Sequence, residues 1–122
     1  MNSILIMDDD ANSRRGMAII FDNLGYNTLL ANSGEEAISL CRKMKADNEI
    51  IEIVLLDLVV IDGMGGKDAL PYLQEIFPEI KAIAVSGYYD DPVLESPEEF
   101  DFAAALQKPF VFSDLIALID SI

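Results

Sequence analysis

Three carboxylates and one lysine stand where apolar runs stop. Asp8 and Asp9 follow Ile4-Leu5-Ile6-Met7, Asp57 follows Ile53-Val54-Leu55-Leu56, and Lys108 follows Phe102-Ala103-Ala104-Ala105-Leu106-Gln107. Clustered carboxylates repel one another unless a divalent cation lies among them, and a neighbouring ammonium can hold an incoming anion. Together they would make a Mg²⁺-dependent phosphoryl-acceptor site. Such a site requires the three runs to end side by side.

The runs read as buried parallel strands, and in an open α/β sheet the carboxyl ends of the strands share one crevice. Strand and helix signals alternate five times. Strands are expected over 3–7, 26–31, 50–56, 80–85 and 102–107, with 50–56 at the centre of the sheet. The first helix carries an apolar stripe at Met17, Ile20, Phe21 and Leu24 and closes at Gly25. Ser33 and Glu36 form an S-x-x-E capping box that opens the second, which runs through Lys45. A glycine-rich loop (Gly63, Gly65, Gly66) leads into a third, which Pro78 ends after Phe77; Pro71 is tolerable there only within the first turn. Residues 90–101, interrupted by Pro92 and Pro97, should be the least regular part, and 113–122 closes as an amphipathic helix. The expected fold is a doubly wound five-stranded parallel sheet flanked by five helices, one domain over residues 1–122.

Composition narrows the partners. A net charge of −14 opposes direct contact with nucleic acid or an anionic membrane. After Lys81 the only cation is Lys108, amid Asp90, Asp91, Glu95, Glu98, Glu99, Asp101, Asp114 and Asp120, and a cation kept there points to function. Cys41, at helical spacing with Ala37, Ile38 and Met44, reads as a core residue and suits a reducing cytoplasm. With no histidine the chain has no ordinary Zn²⁺ site and no phosphohistidine of its own. No apolar run approaches the ~18 residues of a membrane span, and Asp8 comes too early for a signal peptide.

Taken singly, an acidic turn, a lone Asp57, Ser86-Gly87 and Lys108-Pro109 have ordinary explanations as turns and solvated charges. Together, Ile-Leu-Ile-Met-Asp-Asp-Asp at 4–10, Leu-Leu-Asp-Leu at 55–58, Ser-Gly at 86–87 and Lys-Pro-Phe at 108–110 resemble the response-regulator receiver domain (CheY-like) of two-component signalling. The stretches 63–67 and 81–88 further resemble receivers attached to hybrid sensor histidine kinases. The resemblance implies a flavodoxin-like strand order 2-1-3-4-5. It casts Asp57 as acceptor of a phosphoryl group from a histidine kinase or histidine phosphotransfer domain. Asp8, Asp9, Asp57 itself and the main-chain carbonyl of Val59 would hold Mg²⁺, Asp9 directly and Asp8 through water. Lys108 and Ser86 would bind the phosphoryl oxygens, and the surface of strands four and five with the last helix would switch. Such a chain catalyses only its own aspartyl phosphorylation and dephosphorylation, and a phosphorylation-dependent dimer is compatible with it. It would be a stand-alone regulator or a piece of a longer protein, and the 63–67 and 81–88 likeness favours the latter.

The chain departs from the family pattern in three places. Ile61 stands where proline is usual, so the loop after Asp57 is expected to differ. Ala105 stands where an aromatic often reports activation, for which Tyr88, Tyr89 or Phe102 would have to substitute. Asp10 replaces the commoner glutamate. Rival sites fail on single residues. An EF-hand from Asp8 would need Gly at Ser13 and Glu at Ile19. A P-loop would need Ser or Thr at Asp68 and Gly at Ile61. A haloacid-dehalogenase-type phosphatase would need an acid at Val59, and an FMN site would not tolerate three negative charges after the first strand. The remaining alternative is a receiver-shaped interaction module that binds a kinase or output partner without being phosphorylated.

Overall fold

A computed structural model describes residues 2–122. The elements run β1 (Ser3–Met7), α1 (Ala11–Asn23), β2 (Asn27–Ala31), α2 (Gly34–Ala46), β3 (Ile53–Asp57), α3 (Gly66–Ile76), β4 (Lys81–Ser86), α4 (Pro92–Glu95), a 3-10 turn (Pro97–Phe100), β5 (Ala104–Gln107) and α5 (Phe112–Ser121). All strand pairs are parallel, in the order β2-β1-β3-β4-β5, with β3 at the centre as expected. The fold is flavodoxin-like, with helices on both faces.

Period-two alternation divides the core. Leu5, Met7, Val54, Leu56, Ala82 and Ala84 point to one face, where Ala37, Ile38, Cys41 and Met44 of α2 and Ala69, Leu70 and Leu73 of α3 cover them. Ile4, Ile6, Ile53, Leu55 and Ile83 point to the other, against Met17 and Phe21 of α1 and Leu115 and Ile119 of α5. Cys41 is a core residue whose thiol burial pushes up to about 11, so it is unreactive near neutrality.

Several boundaries differ from expectation. Residues 50–52 are apolar enough for a strand, yet Ile50 is exposed and the ladder with β1 begins at Ile53. Phe102 is buried ahead of β5, which begins at Ala104. Leu24 caps α1 and faces solvent, while Gly25, at φ +89, takes the left-handed turn that ends the helix. Pro71 lies beyond the first turn of α3, because the helix starts at Gly66. It leaves the carbonyl of Lys67 without a helical donor, and both residues are exposed, so water can supply one. Residues 90–101 are indeed the least regular: α4 has four residues before Pro97 breaks into the 3-10 turn.

Candidate functional site

Register brings the acids together. Met7 pairs with Leu56, so Asp8 emerges beside Asp57; Ser86 pairs with Gln107, so Lys108 emerges beside Ser86. One oxygen from each of Asp8, Asp9 and Asp57 lies within 4.8 Å of the others. Asp8 and Asp57 are buried, whereas Asp9 is open to solvent. The Lys108 Nζ bridges two of them, at 2.8 Å from Asp8 Oδ2 and 3.2 Å from Asp57 Oδ2. These partners are 100 and 51 positions apart in the chain, so only the assembled sheet creates the cluster.

Each carboxylate is also held by main chain. Asp8 Oδ1 accepts from the Asp10 N–H at 2.9 Å, Asp57 Oδ1 from the Val59 N–H at 3.2 Å, and Asp9 Oδ2 from the Ile61 N–H at 3.0 Å. Arg14 Nη1 donates to the Asp8 carbonyl at 2.7 Å, fixing the turn between the two acids. Asp10 caps α1, accepting from the N–H and hydroxyl of Ser13, bonds that lower its pKa. Burial pushes the Asp57 carboxyl above its usual 3.8, and the Asp8 charge adds to this; Lys108 and the Val59 N–H pull the other way. Burial alone would lower the Lys108 pKa, but the hydrogen bond to Asp8 and the charges of Asp57 and Asp8 outweigh it and raise it above 10.5.

The donor set suits a hard divalent cation. Three carboxylates offer oxygen only, and the chain has no histidine to add nitrogen. Ser86 is brought to the same strand ends and fully buried, but its hydroxyl is engaged elsewhere. It accepts from the Tyr88 N–H at 3.1 Å and donates to Asp91 Oδ2 at 3.5 Å. Asp91 in turn caps α4 through the Val93 N–H at 3.0 Å. Of the aromatics that would have to substitute for one at Ala105, Phe102 is locked in the core, while Tyr88 and Tyr89 are exposed.

Sequence reading missed the contacts that shape the loop after Asp57. Met64 donates its N–H to Glu35 Oε1 at 2.8 Å, which lowers the Glu35 pKa, and accepts from the Gly34 N–H at 2.7 Å. A Cβ on Gly65 would meet the Leu58 carbonyl oxygen at 2.4 Å, and one on Gly66 would meet Leu56 Cβ at 2.7 Å. The glycines are there for close approach of α3 to the end of β3. Main-chain partners leave no mark in residue types, and only the glycine spacing gave a signal.

A family model for the response regulator receiver domain matches residues 4–120. Sporulation initiation phosphotransferase F of Bacillus subtilis is 29% identical over 112 residues, covering 92% of this chain and 86% of the relative. Sensor kinase CckA of Brucella abortus is 31% identical over 120 residues, covering 96% of this chain. The chain spans only 12% of that kinase, and 47% of a response regulator receiver protein of Anaeromyxobacter. A CheY-like receiver domain from Methanospirillum hungatei superposes with TM-score 0.84 at 26% identity, covering 99% of this chain and 92% of the other. CheY of Borrelia burgdorferi, in its complex with CheX, BeF₃ and Mg²⁺, shares the fold at TM-score 0.85 and 22% identity, covering 98% and 87%.

Proposed function

Since this chain belongs to the response-regulator receiver family of two-component phosphorelays, we propose that it takes a phosphoryl group from a partner phosphohistidine onto Asp57. A carboxylate is a competent acceptor: an Asp57 oxygen attacks phosphorus, the phosphorus–nitrogen bond breaks, and the histidine leaves as the neutral imidazole once protonated. The convergence of Asp8, Asp9, Asp57 and Lys108 at one crevice carries this reading. Asp9, Asp57 and the Val59 carbonyl would hold Mg²⁺. Lys108 grips Asp8 more closely than Asp57, at 2.8 Å against 3.2 Å, which favours Asp8 acting through water. When bound, Mg²⁺ supplies positive charge to the transferred oxygens.

Lys108 would exchange part of its contact with Asp57 for a phosphoryl oxygen. Ser86 would turn its hydroxyl from Asp91 toward another, drawing in the loop that leads to α4. Phosphorylation adds about −1.5 to −2 charge, ample to draw a neutral hydroxyl. The family is one of phosphoacceptors, and the proposed activity is limited to self-modification of one domain, residues 1–122. A histidine kinase or histidine phosphotransfer domain is the proposed donor. Among the described residues no helix is long and apolar enough to cross a membrane.

Incubation with a small phosphodonor and Mg²⁺, followed by mass spectrometry, tests the reading. One phosphoryl group is expected on Asp57, abolished by chelator and by Asp57→Asn. Labelling that persists in Asp57→Asn would overturn the assignment.

A further inference from the structure

We propose that the main-chain N–H of Ile61 sets the metal preference of the site by occupying one oxygen of Asp9. The inference rests on the reading of Asp9 as a metal ligand. The bond from Ile61 N to Asp9 Oδ2 is 3.0 Å long and joins residues 52 positions apart. A proline at this position would have no N–H to give.

The donor is well fixed. Downstream, Met64 is clasped to the start of α2 by Glu35 and Gly34, and Gly65 packs on the Leu58 carbonyl. The loop therefore holds the Ile61 amide over Asp9. Ile61 is 78% exposed, so its side chain adds little to this grip. Asp8 has both oxygens bonded, to the Asp10 N–H and to Lys108; Asp57 has both bonded, to the Val59 N–H and to Lys108. Among the described residues, Asp9 Oδ1 is the one oxygen of the cluster without a protein donor.

Asp9 then offers a cation one unbonded oxygen, its other being shared with a fixed amide. Mg²⁺ takes six ligands in a strict octahedron, keeps several waters and is satisfied by one oxygen from a carboxylate. Ca²⁺ prefers six to eight oxygens and readily uses both oxygens of one carboxylate. An amide already bonded to the second oxygen leaves a one-oxygen Mg²⁺ contact untouched and weakens the two-oxygen contact that Ca²⁺ would use.

Calorimetric titration of the unphosphorylated full chain with MgCl₂ and with CaCl₂ gives the ratio of the two dissociation constants. Ile61→Pro, which removes the donor, should narrow that ratio roughly tenfold toward Ca²⁺, the scale of one hydrogen bond to a charged group. Ile61→Ala keeps the N–H and should leave the ratio as in the parent. A Pro variant that melts like the parent and keeps the parental ratio overturns the inference while leaving the metal site standing. Hydrogen exchange at the Ile61 amide of the parent gives an independent readout should the Pro variant fail to fold. Protection should persist with saturating Mg²⁺ and fall with saturating Ca²⁺, and equal protection overturns the proposal. A parent that binds neither ion overturns the site itself and this inference with it.

Discussion

Asp57 is placed where burial works against its charge, and that placement should be visible in titration. Its folded pKa lies above the unfolded value of 3.8, with burial the main cause. The native state therefore binds this proton more tightly than the unfolded chain does. Its contribution to stability is full below pH 3.8 and is lost as pH rises through the folded value. Without metal, Asp57→Asn should melt at a higher temperature than the parent at neutral pH, and the gap should shrink on acidification. Thermal melts across that range check it; a gap that stays constant with pH would place the strain elsewhere. Val59 and Tyr88, the residues two past Asp57 and two past Ser86, are both exposed and bring no carboxylate or amide to orient an attacking water. Slow autodephosphorylation is expected, with Val59→Asn faster by ~10-fold, about 1.4 kcal/mol of barrier. Decay of the phosphorylated chain measures this, and an unchanged rate would show that water reaches the acyl phosphate by another route.

At the level of elements, the loop from β3 to α3 and the segment around α4 do different jobs. The first is rigid by construction, since Gly65 leaves no room beside the Leu58 carbonyl. Gly65→Ala should destabilise the fold by about 1–3 kcal/mol, the usual range for overpacking, as read from denaturant midpoints. The second has four helical residues and few buried side chains, Val93 among them, and is inexpensive to move. Beryllofluoride binding should shift amide resonances of Ser86 through Asp101 and of β5. Shifts confined to the neighbourhood of Asp57 would mark a passive phosphate store. Much of this was legible in sequence, because apolar runs that stop at an acid or a lysine fix both a strand and its end. Ser33 caps α2 as its motif foretold, though Glu36 reaches back to the Asn32 N–H, one residue before the cap. Pro71 was misjudged because Gly65 and Gly66 read as loop, whereas Gly66 already begins the helix. The grip of Ile61 on Asp9 was beyond reach, since every residue but proline carries the same N–H.

For the whole molecule, three of the 22 acids behind the charge of −14, Asp8, Asp9 and Asp57, meet at one end of the sheet. Mg²⁺ should stabilise the chain by about 2.7 kcal/mol at 100-fold above its dissociation constant. A melting temperature indifferent to Mg²⁺ would sink the proposed site. The separations of 51 and 100 positions across the Lys108 bridges have a further consequence, for the order of assembly. A ribosome delivers Asp8 and Asp57 before Lys108, and β1 and β3 can pair before β5 exists. During that interval two acids face each other with no lysine between them. A divalent cation would fill that role for the growing chain and surrender it in part when β5 docks. If β1 and β3 also pair before β5 docks when the full-length chain refolds, Mg²⁺ should act chiefly on the folding rate rather than on unfolding. An effect on the unfolding rate alone would mean that β5 is in place before the acids are.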